Sequence, residues 1–252
     1  KVINTVLNTI YPDGLYCICC GKIIDETRPY SLCNDCMDTL KWATGRTCGK
    51  CGKPLSLNNP TDTCFSCREH PHLYDRGFCC TEYGTGEKKI VYALKYDGRS
   101  DIAERMGEIM AHRMLTVMEP WEFDSEYDLL VPVPVSTERR SRRGYNQAAL
   151  AADSFARNMG MEYKYRGEIL RRIKPTSALK YMTPEERRMS IRGSFQVLPS
   201  RRKIVKGAGC LIIDDIYTTG ATVDEIADVL RANGADKIDF LSFASGADVV
   251  KS

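Results

Sequence analysis

"CLIIDDIYTTGAT", residues 210–222, runs an apolar segment into two adjacent aspartates and then into a turn of small and hydroxyl-bearing residues. Leu211, Ile212 and Ile213 suit a strand buried on both faces, the usual state of a strand in a parallel sheet. Asp214 and Asp215 stand where that strand leaves the sheet. Ile216 and Tyr217 lead into Thr218, Thr219, Gly220, Ala221 and Thr222, whose small side chains let backbone N–H groups approach an anion closely. A helix starting near Thr222 adds the positive end of its dipole, so the turn has the makings of a phosphate cradle. The carboxylates would repel a phosphate and must serve another part of the same ligand. Vicinal ribose hydroxyls can donate to them, and their charge favours a developing oxocarbenium ion nearby. A sugar 5-phosphate satisfies both halves. In the competing reading the two acids merely cap a helix, which leaves charges at the end of a buried strand without a ligand.

The surrounding chain supplies a sheet for this strand. "YDLLVPVPV", Tyr127–Val135, is β-rich, and its prolines point to a strand end at a functional loop. Residues 68–85 form a linker running into a short strand near Phe78–Tyr83. "GEKKIVYALKY" places Ile90, Val91 and Leu94 on one helical face, and "SDIAERMGEIMAHRML" repeats apolar residues at Ile102, Met106, Ile109 and Met110. After a basic loop, "STERRSRRGYNQ", the segment "AALAADSFARNMG" is helical up to Gly160. "TPEERRMSI" opens with Thr183 at the N-cap, Pro184 in the first turn and Glu186 placed to close a capping box. A helix over 222–232 and a strand over 237–243 complete the pattern. Strands alternating with helices imply an α/β fold with a parallel sheet from about residue 78 onward, and ligands of such sheets bind beyond the strand carboxyl ends.

Eight of the twelve cysteines form four C-x-x-C pairs: Cys17/Cys20, Cys33/Cys36, Cys48/Cys51 and Cys64/Cys67. Twelve residues separate the pairs within each half, and the second half repeats the first at an offset of 31 residues. Two such turns complete a tetrahedral Cys₄ zinc site, so the amino-terminal region is expected to be a duplicated zinc ribbon. A disulfide framework is the rival reading, disfavoured where thiols are kept reduced. With four protein ligands each, neither zinc keeps an open position, and both are structural. Structural zinc contributes on the order of 10 kcal/mol per site, so metal removal is expected to unfold residues 17–67. Cys19 could compete with Cys20 for the metal, and Cys210 is expected in the core.

The 252 residues hold 36 Lys and Arg against 33 Asp and Glu, and hydrophobic residues make up 43%, enough for one ordinary domain and a smaller one. The boundaries drawn from the sequence are 1–70 for the amino-terminal segment with the ribbons and 71–252 for the α/β domain. The formal charge of +3 conceals an asymmetry. Residues 139–206 carry 18 basic against 5 acidic side chains, a net of +13, which points to a polyanionic partner. Tyr145, Tyr163, Tyr165, Tyr181 and Phe195 lie among these arginines, a mixture suited to single-stranded nucleic acid. A solvated basic face without a partner is the alternative. The opening "KVINTVLNTIYP" is too short and too polar for a signal peptide or a membrane span, so no membrane insertion and a cytoplasmic location are expected.

"LIIDDIYTTGAT" resembles the phosphoribosyl pyrophosphate (PRPP) signature of type I phosphoribosyltransferases. With "LKYDG" at 94–98, "VPVP" at 131–134, "RRGYNQAALA" at 142–151, "RRMSIRGSF" at 187–195 and the double zinc ribbon, nearly the whole chain is similar to the ComF family. That resemblance implies a type I phosphoribosyltransferase-like parallel sheet flanked by helices. It implies Asp214 and Asp215 on the ribose hydroxyls, Thr218, Thr219, Gly220, Ala221 and Thr222 on the 5-phosphate, Mg²⁺ as companion ion, and Arg143 on leaving pyrophosphate. It further implies a role in DNA uptake during natural transformation, beside a helicase-like competence protein. The basic region, with Arg139, Arg140, Arg142, Arg143 and Tyr145 as candidate DNA contacts, fits single-stranded DNA. The alternative is an active phosphoribosyltransferase that uses PRPP and Mg²⁺ with an unidentified acceptor.

Overall fold

A computed structural model describes residues 14–165, 167–174 and 183–248. The opening segment read for a signal or span, and Tyr181, lie outside those residues. Within the ribbons are α1 (Asn34–Thr39) and α2 (Phe65–Glu69). The chain continues through β1 (Arg76–Glu82), α3 (Thr85–Tyr96), α4 (Asp101–Leu115), α5 (Pro120–Glu126), β2 (Leu129–Pro132), α6 (Thr137–Arg143) and α7 (Gln147–Met159). It ends with β3 (Leu170–Arg172), α8 (Pro184–Ile191), β4 (Phe195–Val197), α9 (Arg202–Val205), β5 (Gly209–Tyr217), α10 (Ala221–Ala232) and β6 (Lys237–Ser245).

The four long strands form a parallel sheet in the order β1–β6–β5–β2, while β3 and β4 make a small antiparallel pair. Side chains of β5 alternate between the two faces: Leu211 and Ile213 enter one core with α3, α4 and α7, and Cys210 and Ile212 enter the other with α8 and α10. Both helical stripes expected from the sequence are buried, Ile90, Val91 and Leu94 on α3 and Ile102, Met106, Ile109 and Met110 on α4. Because α7 follows β2 on one face and α10 follows β5 on the other, the loops leaving these neighbouring strands diverge. A crevice opens between them at the carboxyl ends, the place where such sheets bind ligands.

One local expectation is met and one needs correction. The β-rich run Tyr127–Val135 supplies the edge strand β2 over Leu129–Pro132, with Val133 N–H still donating to Ile213 O at 2.9 Å, and its prolines mark the strand end at the loop that lines the crevice, as expected. The "basic loop" contains a helix, α6. Its N-cap is Ser136, whose hydroxyl accepts from the Arg139 N–H, and Arg140, Arg142 and Arg143 fall in its last turn, where cations suit the helix dipole.

The ribbons are fastened to the sheet. Residues 41–43, between the two ribbons, run antiparallel along β1, with Ala43 N–H donating to Cys80 O and Glu82 N–H to Lys41 O, each at 2.8 Å. Gly52 sits at φ +70°, and a Cβ there would lie 2.3 Å from Gly77 O, so the second ribbon touches β1 backbone to backbone. No helix among the described residues is long and apolar enough to cross a membrane.

Candidate functional site

The crevice is a cavity of about 580 Å³ floored by Asp214–Val223 and walled by Val133, Pro134 and Val135 after β2. Gly220 caps α10 in the left-handed conformation (φ +80°) and no side-chain cap occupies the helix start. The first N–H groups of α10 therefore face the cavity as anion donors. A Cβ at Gly220 would lie 2.7 Å from the His72 ring and 2.9 Å from the Tyr217 hydroxyl, so only glycine fits this bend.

Asp214 and Asp215 lie half-buried in the carboxyl-terminal part of β5, which runs on to Tyr217, with the Asp215 N–H donating to Asp214 Oδ1 at 2.9 Å. Burial, and then the charge of Asp215, pushes the Asp214 carboxyl well above the usual carboxylate range. Asp215 suffers the same burial, yet the Lys95 ammonium paired with its Oδ2 holds it below that range. One acid is thus biased toward its protonated form and its neighbour toward the ionised form.

The opposite wall is cationic. Arg139, Arg142 and Arg143 from α6, Arg172 from β3 and Arg187 from α8 all line the cavity with Lys95. Arg143 donates to Gln147 Oε1 at 3.1 Å and lies 5.3 Å from the Tyr96 ring centre, while its Nε is buried without a hydrogen-bond partner. Burial and the nearby Arg139 push the Arg172 guanidinium down to about 10. Such crowding of like charges is the mark of a site shaped for an anion.

The sequence reading grouped Arg139, Arg140, Arg142, Arg143 and Tyr145 as one surface, and the structure divides them. Three of the arginines share the cavity with Asp214, Asp215 and Thr218–Thr222. Arg140 points away and pairs with Glu168. Tyr145 is half-buried against the core, and its hydroxyl donates to Leu94 O at 2.6 Å, so it straps the loop after α6. Of the other aromatics, Phe195 is buried and Tyr165 packs on the core, whereas Tyr163 is exposed and its hydroxyl donates to Asp124. Sequence reasoning gave no role to Lys95, Arg172 or Arg187. "LKYDG" was the hint for the first and "RRMSIRGSF", which begins at Arg187, for the last, while no local signal distinguished Arg172 from its basic neighbours.

Each ribbon brings its four sulfurs within 4.8 Å of one another: Cys17, Cys20, Cys33 and Cys36 in the first, Cys48, Cys51, Cys64 and Cys67 in the second. Cys20 and Cys33 sulfurs stand 3.7 Å apart, as do those of Cys51 and Cys64. A tetrahedron with Zn–S bonds of about 2.3 Å has edges of about 3.8 Å, so both clusters fit zinc. The duplication extends to outer hydrogen bonds: Cys33 N–H donates to Cys17 Sγ at 3.4 Å, and Cys64 N–H to Cys48 Sγ at 3.3 Å, 31 residues later. Cys19 stands outside the first cluster, with Gly86 O 3.8 Å from its sulfur.

The double zinc ribbon domain family matches residues 6–68, and the phosphoribosyl transferase domain family matches residues 154–248. DNA utilization protein YhgH of Salmonella typhimurium is 27% identical over 207 residues, 82% of this chain and 86% of that protein. Competence protein F of Haemophilus influenzae is 24% identical over 213 residues, 84% of this chain and 90% of its own. Competence protein ComFC of Bacillus subtilis is 26% identical over 206 residues, covering 81% and 79% respectively. The chain thus joins a double zinc ribbon to a phosphoribosyltransferase-type sheet, and it is similar along most of its length to competence protein F, competence protein ComFC and the DNA utilization protein.

Proposed function

We propose that this protein binds PRPP in the crevice and acts in DNA uptake, holding single-stranded DNA with the arginines of the same crevice. The observation that carries this reading is the convergence, on one cavity, of an acid pair, a helix start without a side-chain cap and five arginines. The acid pair suits a ribose diol, the helix start a 5-phosphate, and the arginines a pyrophosphate or a nucleic-acid backbone. Adjacent carboxylates beside a phosphate site are also a donor set for Mg²⁺, and the Lys95 ammonium against Asp215 stands where cationic charge is wanted. The names of the relatives, competence and DNA-utilization proteins, support the cellular role.

The test is calorimetric titration of the zinc-loaded protein with PRPP and Mg²⁺, followed by displacement of a labelled single strand by PRPP. Binding of both ligands with mutual displacement is expected. Asp214→Asn with Asp215→Asn should abolish PRPP binding and leave DNA affinity intact or stronger, since negative charge leaves the crevice. No heat with PRPP would overturn the small-ligand reading, and undiminished DNA binding at saturating PRPP would overturn the shared crevice.

A second reading, phosphoribosyl transfer to an acceptor, is favoured by the opposed acidities of Asp214 and Asp215, since acid–base chemistry draws on such split pairs. Pyrophosphate release from PRPP that Asp214→Asn slows, without loss of PRPP binding, would support it.

A further inference from the structure

Behind the phosphate turn, on the side away from the cavity, lies a chain of buried polar contacts that nothing in the ligand chemistry above uses. His72, in the segment between the second ribbon and β1, has a fully buried side chain. Its Nδ1 is 2.9 Å from Asp224 Oδ2, and the other oxygen of Asp224 accepts the Leu73 N–H at 3.0 Å. The carboxylate accepts, so Nδ1 carries the proton of that bond, and Nε2 lies 3.4 Å from the Tyr217 hydroxyl. Tyr74 continues the chain, its hydroxyl 2.7 Å from that of Tyr217 and its ring stacked on His72.

These contacts fix two things at the phosphate turn. The His72 ring backs the left-handed Gly220, and the Tyr217 hydroxyl closes the same bend. Asp224 lies in the first turn of α10, one turn from where a phosphate would rest, and a free carboxylate there would oppose the anion. Held by His72 and the Leu73 N–H, it faces backward and its charge is partly satisfied. The anchor reaches the second ribbon. Tyr74 packs in one cluster with Cys48, Cys51 and Cys64, the Lys53 ammonium lies 5.7 Å from the Tyr217 ring centre, and Phe65, which follows Cys64, donates its N–H to Asp248 at 3.0 Å just beyond β6. The first ribbon instead packs against α3 and α4.

We propose that His72 is a positioning residue that holds Asp224 and Gly220 in the anion-binding arrangement, and that it links the phosphate turn to the metal of the second ribbon. The proposal rests on the reading of residues 218–222 as the phosphate site. Linkage is reciprocal: if the second ribbon's metal favours the binding form of the turn, ligand at the turn must favour retention of that metal.

The experiment uses the zinc-loaded full chain with PRPP and Mg²⁺ as probe, comparing wild type, His72→Ala and His72→Asn by calorimetry and amide hydrogen exchange. Asparagine places an amide donor near Nδ1 and can keep the bond to Asp224. Losing a hydrogen bond to a charged group corresponds to about tenfold or more in affinity, so His72→Ala should bind PRPP at least about tenfold more weakly and exchange amides 218–223 faster. His72→Asn should recover most of both. PRPP should also slow chelator-driven release of one zinc of the two in wild type, and not in His72→Ala. If wild type binds no PRPP, the phosphate-site reading itself falls. If wild type binds but His72→Ala binds equally, or if PRPP leaves both zinc release rates unchanged, the positioning role and the link are wrong. Equal weakening in the alanine and asparagine variants would likewise overturn the assigned hydrogen bond.

Discussion

Replacing Arg139, Arg142 and Arg143 together by alanine tests whether the crevice is where nucleic acid binds, and the structure sets the size of the effect. Only these three of the four clustered arginines line the cavity, while Arg140 is engaged by Glu168. Each cation that neutralises a single-strand phosphate contributes about 0.7 to the slope of log affinity against log salt. Removing three should lower the slope by about 2. Between about 50 and 200 mM salt, wild type should then lose about 20-fold more affinity than the triple variant does. Arg140→Ala, whose charge is already countered by Glu168, should keep a slope close to that of wild type. Fluorescence anisotropy of a labelled oligonucleotide over a salt series gives both slopes, with zinc content and circular dichroism as controls for folding. An unchanged slope in the triple variant, or a fall with Arg140→Ala as large as with the triple change, would place the nucleic acid elsewhere and refute the shared crevice.

Chelating both metals should do more than unfold residues 17–67. Because residues 41–43 and Lys50 hydrogen-bond along β1, amides of β1 should lose exchange protection together with the ribbons, and retained protection in β1 would show the two parts to be independent. The acid pair predicts opposite stability changes. Asp214 has a raised carboxyl in the fold, so it costs stability as pH rises above the unfolded value of about 3.9, and Asp214→Asn should raise Tm at neutral pH by about 2 °C or more, a gain that fades as pH falls to about 4. Asp215 is held low by Lys95 despite its burial, so its contribution is present above about pH 4 and is lost under acid; Asp215→Asn should lower Tm at neutral pH, and thermal scans at pH 7 and pH 4 distinguish the two.

The features legible in the sequence were those written in local patterns. The unbroken apolar run of β5, buried on both faces, the apolar stripes of α3 and α4, and the C-x-x-C pairs with their 31-residue repeat can each be read along the chain itself. Residues 214–222 could likewise be read as a ligand turn from their own composition. What could not be read depends on which loops the topology brings together. Arg172 and Arg187 are distant from Asp214 in the chain and arrive beside it only because β3 and α8 fold over the same strand ends. Lys95 sits on α3, far from β5 in sequence, and its pairing with Asp215 exists only in three dimensions. His72 lies in the linker stretch "EHPHLYD", residues 69–75, where nothing local singles it out, and its partner Asp224 is 152 residues away.

The same distinction changes the weight of the basic block. Counted along the chain, a net of +13 suggests a broad cationic surface, yet many of those side chains are engaged locally. Arg157 pairs with Asp153, Lys164 lies against Asp124 and donates to Tyr127 O, and Arg171 donates to Gln196. Five arginines of the block line the cavity, where with Lys95 they place six cationic side chains around two carboxylates. Charge concentrated in a concave site suits a compact polyphosphate better than a long strand, because a small ligand can meet most of it at once whereas a backbone passes only a few phosphates through. PRPP should therefore compete effectively against DNA, and occupancy by the small ligand would govern whether the strand can bind.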